Sequence, residues 1–444
     1  MPFIAEILGQ HIARLSREPS SVVDREMALK CMLDLVGTAI AGRNLPGPAA
    51  VRRTVSNIYG PGNASIWATG MSVSAGGALI ANASAACALD LDDGNRLARG
   101  HAGACVIPTV LTLLPTCNAS AADVYSAISV GYDVGVRVAS AQMPATIRTR
   151  QTGRWAAVAA AAATGRLFRS NADEIARSLT ISAVLAPNQL ANGSSGYSRM
   201  TGNDVKEGIA WSCLLGLNAH YLGANGYTGP QDVFDHPDYY DRDAILSGLG
   251  RHSHLSGTYF KRYACCRYIH AALDAYFDLV EEHQIDECSI AGIEVETFSW
   301  ALKLGNKTRP LTIVDIQYSL PYCMAIAVLE GRGALAPIEA ELLGREDLST
   351  LAEKVKVTIN SDIDGLFPSE TLARVTVDHT GGRSSSAIRG PLGDPQRPMS
   401  FDAIEDKFMK VTGRQLPYER QRAIIDGVLD FDADGGSGLL AALQ

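Results

Sequence analysis

Asp90-Leu91-Asp92-Asp93-Gly94, followed closely by His101-Ala102-Gly103, puts three carboxylates and an imidazole on one short segment. Carboxylates this close cannot all ionise cheaply, so at least one holds its proton unusually tightly. Histidine exchanges a proton near neutral pH. Together these residue types read as acid–base equipment. A calcium loop is excluded, because the twelfth position counted from Asp90 is His101, where a bidentate glutamate belongs. The acidic run starting at Asp430 fails in the same way at Ala441 and reads as a solvated tail. The bland alternative for Asp90, Asp92 and Asp93 is an acidic surface at a helix C-terminus, which the helix dipole disfavours.

Cations at three places can face those acids. Lys206 lies in Gly202-Asn203-Asp204-Val205-Lys206-Glu207, where Asp204 and Glu207 have capping-box spacing. That spacing predicts a helix over 204–222 with Lys206 in its first turn. A cation there opposes the dipole, which favours a bound anion or a lowered lysine pKa. The alternative is an exposed lysine paired with a neighbouring acid. The segment from Tyr259 to His270 holds Lys261, Arg262, Arg267 and His270, the densest cationic cluster of the chain. Arg267 and His270 share a helix face at i and i+3. The cluster reads as a carboxylate or phosphate site, or else as a salt-bridge network between domains. Arg148, Arg150 and Arg154 form another basic group where a helix starts, and one of them is expected to face the cleft. Adjacent Cys265 and Cys266 lack zinc-ligand spacing and read as packing residues.

Elements must bring these segments together. Apolar residues recur at helical spacing over 25–40, 73–91, 121–139, 154–167 and 204–222. Period-two patterns over 292–297, 354–359 and 373–377 predict strands, with helices over 322–329 and 338–343 between them. Pro391, Pro395 and Pro398 mark a boundary, after which 401–411 and 418–429 return to helix. The expected fold is mainly α: a large all-helical domain with an inserted smaller α+β lid domain. The expected domains are 1–256 and 391–444 for the helical domain and 257–390 for the lid, with the cleft near the two crossings.

Composition bounds the partners. The 444 residues carry 39 basic and 47 acidic side chains, a formal charge of −8. That gives no electrostatic reason to bind nucleic acid or an anionic membrane. The N-terminus lacks a basic signal-peptide region, and no apolar run approaches a membrane span. The nine cysteines form no C-x-x-C pair, which points to reduced thiols and a cytoplasmic location. There is no Walker loop, G-x-G-x-x-G after a strand, H-E-x-x-H or G-x-S-x-G. No cofactor and no metal are expected.

Seven blocks in order resemble the MmgE/PrpD family: Leu33-Asp34-Leu35-Val36-Gly37-Thr38, 90–103, Gly131-Tyr132-Asp133-Val134-Gly135, 151–163, 201–208, 259–270 and Gln317-Tyr318-Ser319-Leu320-Pro321-Tyr322. The family includes 2-methylcitrate dehydratase, cis-aconitate decarboxylase and iminodisuccinate epimerase. The resemblance implies a helical domain plus α+β lid, a homodimer, and cofactor-free chemistry on small polycarboxylates. It places Asp90, His101, Lys206 and Lys261 on the family's active-site aspartate, histidine and two lysines. Arg150, Arg267, Asp93 and Tyr318 are the expected substrate-binding residues. Three departures stand out. Gly94 replaces a common threonine, Arg150 stands where the decarboxylase has a histidine, and Arg262 follows the lid lysine in place of proline. The expected reaction is elimination of water from a β-hydroxy acid, as in a 2-methylcitrate dehydratase. Epimerisation beside a carboxylate is the alternative. Decarboxylation of cis-aconitate, or polycarboxylate binding without catalysis, ranks below both.

Overall fold

The computed structural model describes residues 2–15, 21–147, 151–188 and 202–444. Helix dominates, as the spacing predicts. The long helices Val22–Gly42, Ala75–Ala88, Ala121–Ala141, Gly153–Leu167 and Ile209–Ala224 build the first core. Every residue of Gly153–Leu167 is buried, so this alanine-rich helix is the axis of the bundle. Small residues set its distances. A Cβ on Gly135 would lie 2.8 Å from the Ala159 methyl, and one on Gly131 would lie 3.0 Å from that of Ala163. Ser120 with Asp123, and Asn171 with Glu174, close complete capping boxes at the starts of Ala121–Ala141 and Ala172–Leu185.

The chain leaves the first core at Phe260 and rejoins it at Met399. Most of a second core, with a four-stranded sheet, lies between these points, but Ala41, Leu89, Leu91 and Val411 of the helical part also belong to it. All three strands expected from alternation are present, as Ile290–Thr297, Val355–Ile359 and Arg374–His379, and Gly382–Ser385 adds an edge. Val355–Ile359 pairs parallel with Ile290–Thr297, and the other two pairings are antiparallel. Ile293, Val295, Val375 and Val377 point inward. On the opposite face Glu296 sits across from Arg374 and pairs with it at 3.3 Å. Helices Arg267–His283 and Leu320–Leu329 belong to this second core.

Three expected elements differ. The segment 338–343 is reduced to a single 3-10 turn, Ala340–Leu342. The acidic run near Asp430 is not a solvated tail. Phe431 is buried against Tyr125, and the Asp434 carboxylate accepts from the Gly436 and Gly438 N–H groups. Asp434 thus caps the turn that follows it, while Asp432 pairs with Arg25 of helix Val22–Gly42. The third difference concerns Lys206 and belongs to the site.

Among the described residues no helix is long and apolar enough to cross a membrane. All nine cysteines are free thiols.

Candidate active site

Helix Ala75–Ala88 ends at the acid loop, and carbonyls at and just past its end find donors from distant segments. Gln317 Nε2 donates to the Ala88 carbonyl at 3.1 Å, Lys261 Nζ to that of Asp90 at 3.0 Å and Lys407 Nζ to that of Leu91 at 2.8 Å. One amide and two ammoniums thus cap this negative end. Asp90 turns left-handed, with φ of 51°, and so sends its side chain back toward those cations. A two-residue ladder pairs Gly94–Asn95 with Thr258–Tyr259, which fixes Lys261 against the acid loop.

Asp90 is the hub. Its Oδ1 lies 3.2 Å from Lys261 Nζ, 3.8 Å from Lys206 Nζ and 3.7 Å from His101 Nε2. Burial alone would raise its pKa, but the two lysines and His101 outweigh it and hold the carboxyl well below its ordinary value. Burial likewise opposes the charge on Lys261, yet Asp90 and Asp92 win and raise its pKa. Lys206 Nζ also donates to Gln317 Oε1 at 3.0 Å and lies 5.2 Å from the centre of the Tyr318 ring.

The histidine is oriented by Asp92, not by Asp90. His101 Nδ1 lies 2.9 Å from Asp92 Oδ2, which leaves Nε2 on the Asp90 side. Burial would lower the imidazole pKa. The adjacent Asp92 carboxylate outweighs it and raises the value above 6.5. Asp90 Oδ2 and Asp92 Oδ1 are buried with no hydrogen-bond partner among the described residues, so each offers a lone pair to an incoming donor. A small pocket opens here, lined by Asp90, Asp92, His101, Lys206, Glu207 and Tyr318. Asp92 and Glu207 were not singled out from the sequence as site residues. Asp92 lay inside the acidic segment that drew attention, but spacing cannot tell which carboxylate meets the ring.

Lys206 reaches the pocket by a route that the capping-box spacing misread. The helix starts at Ile209, and Asp204 and Glu207 do not cap it. Lys206, Glu207 and Gly208 instead run left-handed, with φ of 45°, 61° and 74°. The cause is tertiary: Glu207 Oε2 accepts the Thr152 backbone N–H at 2.7 Å, and Thr152 Oγ1 accepts that of His101 at 3.2 Å. This chain ties the Lys206 turn to the histidine segment.

The other expected binding residues separate. Tyr318 lines the pocket. Asp93 does not, because it accepts the Tyr132 hydroxyl at 2.5 Å and the Gly103 N–H at 2.9 Å behind the site. Burial is the main force that pushes its pKa up to about 7, with Asp34 and Asp92 adding to it. Arg267 is not on the pocket wall either. It pairs with Asp394 at 2.8 Å, donates to the Phe260 and Leu392 carbonyls, and stacks on Tyr259. Both readings of the 259–270 cluster therefore hold for different members: Lys261 serves the site, and Arg267 serves a salt-bridge network at the crossing. Arg154 is buried and donates to the Ala183 carbonyl. Arg148 and Arg150 lie outside the described residues.

Asp90, Asp92 and His101 each offer one donor atom within 4.8 Å of the others, a set that can in principle hold a metal. Two lysine ammoniums within 3.8 Å of Asp90 oppose a cation there. The local field instead suits a negatively charged ligand beside a proton carrier.

Helical core, sheet-bearing second core and a Lys–Asp–His pocket define an enzyme-like α protein with an internal acid–base site. The chain belongs to the MmgE/PrpD family: the family's N-terminal domain matches residues 6–242 and its C-terminal domain residues 263–432. Among curated proteins it is 24% identical to cis-aconitate decarboxylase of Aspergillus terreus, over 93% of this chain and 90% of that protein. It is 23% identical to the cis-aconitate decarboxylase-like protein oryM of Aspergillus oryzae, over 96% of this chain and 93% of that protein.

Proposed function

We propose that this chain is an acid–base enzyme acting on a small di- or tricarboxylate, and that it eliminates water from a β-hydroxy acid. The observation that carries the reading is the Asp92–His101 pair opening onto the same pocket as Lys206, with Lys261 beneath Asp90. Asp92 holds the Nδ1 proton, so the Nε2 lone pair can take a proton from carbon beside a carboxylate. The electron pair left behind spreads onto that carboxylate as an enediolate. The Lys206 ammonium, with Lys261 behind Asp90, stabilises this charge in a site that is already arranged for it. The C–O bond of the β-hydroxyl then breaks as the double bond forms. The imidazolium returns its proton to the departing oxygen, so water and an alkene acid leave. One imidazole serves both steps when hydrogen and hydroxyl depart from the same face.

Epimerisation is the second reading. His101 and Lys206 reach the pocket from different segments, and two proton carriers at one carbon are what inversion needs. The names of the relatives add decarboxylation of cis-aconitate as a reaction to assay beside these. The proposal includes a homodimeric cytoplasmic protein with the α+β unit, residues 257–390, as a lid over the site.

The test is proton NMR of the purified protein in D2O with 2-methylcitrate, citrate, cis-aconitate, malate and the iminodisuccinate isomers. Elimination gives a new vinyl signal that disappears in His101→Ala. Deuterium uptake beside a carboxylate without an alkene product overturns elimination in favour of epimerisation. Saturable binding with neither change overturns catalysis on these acids.

A further inference from the structure

One face of helix Arg267–His283 carries Arg267, His270 and Asp274, at positions i, i+3 and i+7. All three are buried, and the reaction written above uses none of them. Their contacts converge on the loop that delivers Lys261. Arg267 Nη1 donates to the Phe260 carbonyl at 3.3 Å, directly before the lysine. His270 Nε2 lies 3.2 Å from the Cys265 carbonyl, at the far end of the loop. Between the two, Asp274 Oδ1 accepts the Tyr263 hydroxyl at 2.7 Å. The loop is thus held on both sides of Lys261 from a single helix face.

His270 is the member whose chemistry is fixed from both edges. Its Nδ1 lies 3.3 Å from Arg267 Nη1. A guanidinium can only donate and a carbonyl can only accept, so Nδ1 keeps the lone pair and Nε2 carries the proton. Burial, then the charges of Arg267 and Lys261, hold the imidazole pKa well below 6.5 and keep the ring neutral. The Tyr263 ring packs against it, with centroids 5.1 Å apart. One neutral ring therefore orients Arg267 from one edge and the Cys265 carbonyl from the other. The lysine at stake is buried, and its Nζ lies 3.0 Å from the Asp90 carbonyl and 3.2 Å from Asp90 Oδ1. Both contacts join this loop to the acid loop, so a shift of either loop lengthens both.

We propose that His270 is a positioning residue: through the Cys265 carbonyl and Arg267 it fixes the loop that sets Lys261 against Asp90. The effect on rate rests on the acid–base reading of the Asp90 site, whereas the placement of Lys261 does not.

Three variants separate the two edges of the ring. His270→Gln can still present an N–H to the Cys265 carbonyl. His270→Asn ends near the place of Nδ1 and reaches only Arg267, and His270→Phe serves neither. The first readout is the 13Cε resonance of Lys261 in lysine-labelled protein, assigned by its loss in Lys261→Arg. The second is kcat and KM for whichever acid turns over. His270→Asn and His270→Phe should shift the Lys261 resonance. They should also lower kcat at least about tenfold, because a misplacement of about 1 Å can cost about 100-fold. Lys261 lies behind Asp90, away from the pocket wall, so KM should stay within about twofold. His270→Gln should return both readouts toward the parent. Should His270→Phe fail to fold, the contrast between Gln and Asn carries the test. A Lys261 resonance left unmoved in His270→Asn overturns the proposal, whatever the melting temperature does. Equal losses in Gln and Asn overturn it too, because the shape of the ring would then matter and its N–H would not. A Lys261 resonance that shifts in Asn but not in Gln, in a protein that turns over none of the acids, supports the positioning role and overturns only the acid–base reading.

Discussion

At the scale of single residues, the Asp92–His101 contact sets the pH behaviour of the site. The imidazole pKa is raised above 6.5 in the folded protein, with Asp92 overcoming the effect of burial. The neutral base therefore prevails only above that raised value, and a rate limited by His101 as base rises with pH through it. Asp92→Asn removes the charge but keeps an acceptor for the ring N–H. Its acidic limb should move to lower pH, and kcat should fall by about 10- to 100-fold, as a pH–rate profile would show. His101→Ala and Lys206→Ala should each lose solvent proton exchange into substrate while circular dichroism stays native. Normal turnover in either would remove that residue from the mechanism. Asp90, His101, Lys206 and Lys261 were legible in the sequence because their types and family motifs mark them. Arg267 and Asp93 carry the same marks yet serve structure. Residue type records the capacity for chemistry, and only the fold decides which side chain faces the pocket.

Elements tell a similar story. Helices and strands with strong periodicity fall where the sequence places them, because burial of one face decides them. The Lys206 turn was illegible because a carboxylate bond to Thr152, far away in sequence, overrides local capping. The same dependence on distant partners makes Lys407 a strong point. From helix Phe401–Thr412 it pairs with buried Asp34 at 2.5 Å and holds the Leu91 carbonyl of the acid loop. Lys407→Met leaves the Asp34 charge buried and alone, and should cost about 3–5 kcal/mol in urea unfolding. Asp34→Leu combined with Lys407→Met should recover much of that loss. Gly103 is a second such point. It has no room for a side chain, because a Cβ would meet the Asp93 carboxylate and, at 2.5 Å, the Tyr132 hydroxyl. Gly103→Ala should destabilise by roughly 1–3 kcal/mol.

At the scale of the whole molecule, two buried carboxyls make stability depend on pH. Burial, the largest cause for each, pushes Asp34 up to about 6 and Asp93 up to about 7. Both carboxyls are thus held protonated in the folded chain at pH values where the unfolded chain has already ionised them. Their contribution to stability is full below the ordinary value of 3.8 and is lost as pH rises through 6 to 7. Asp93→Asn mimics the protonated acid. The melting temperature of this variant, relative to the parent, should be higher at pH 8 than at pH 5, and an equal difference at both would refute the role of Asp93. The two-core arrangement has a further consequence, for synthesis. The first core is incomplete until Met399 and the helices after it arrive. Phe408 packs over Gly37 of helix Val22–Gly42, so on the ribosome that apolar groove stands empty while most of the second core is being made. A nascent chain stopped just before Met399 should bind chaperone through this groove, and one extended past Leu443 should release it.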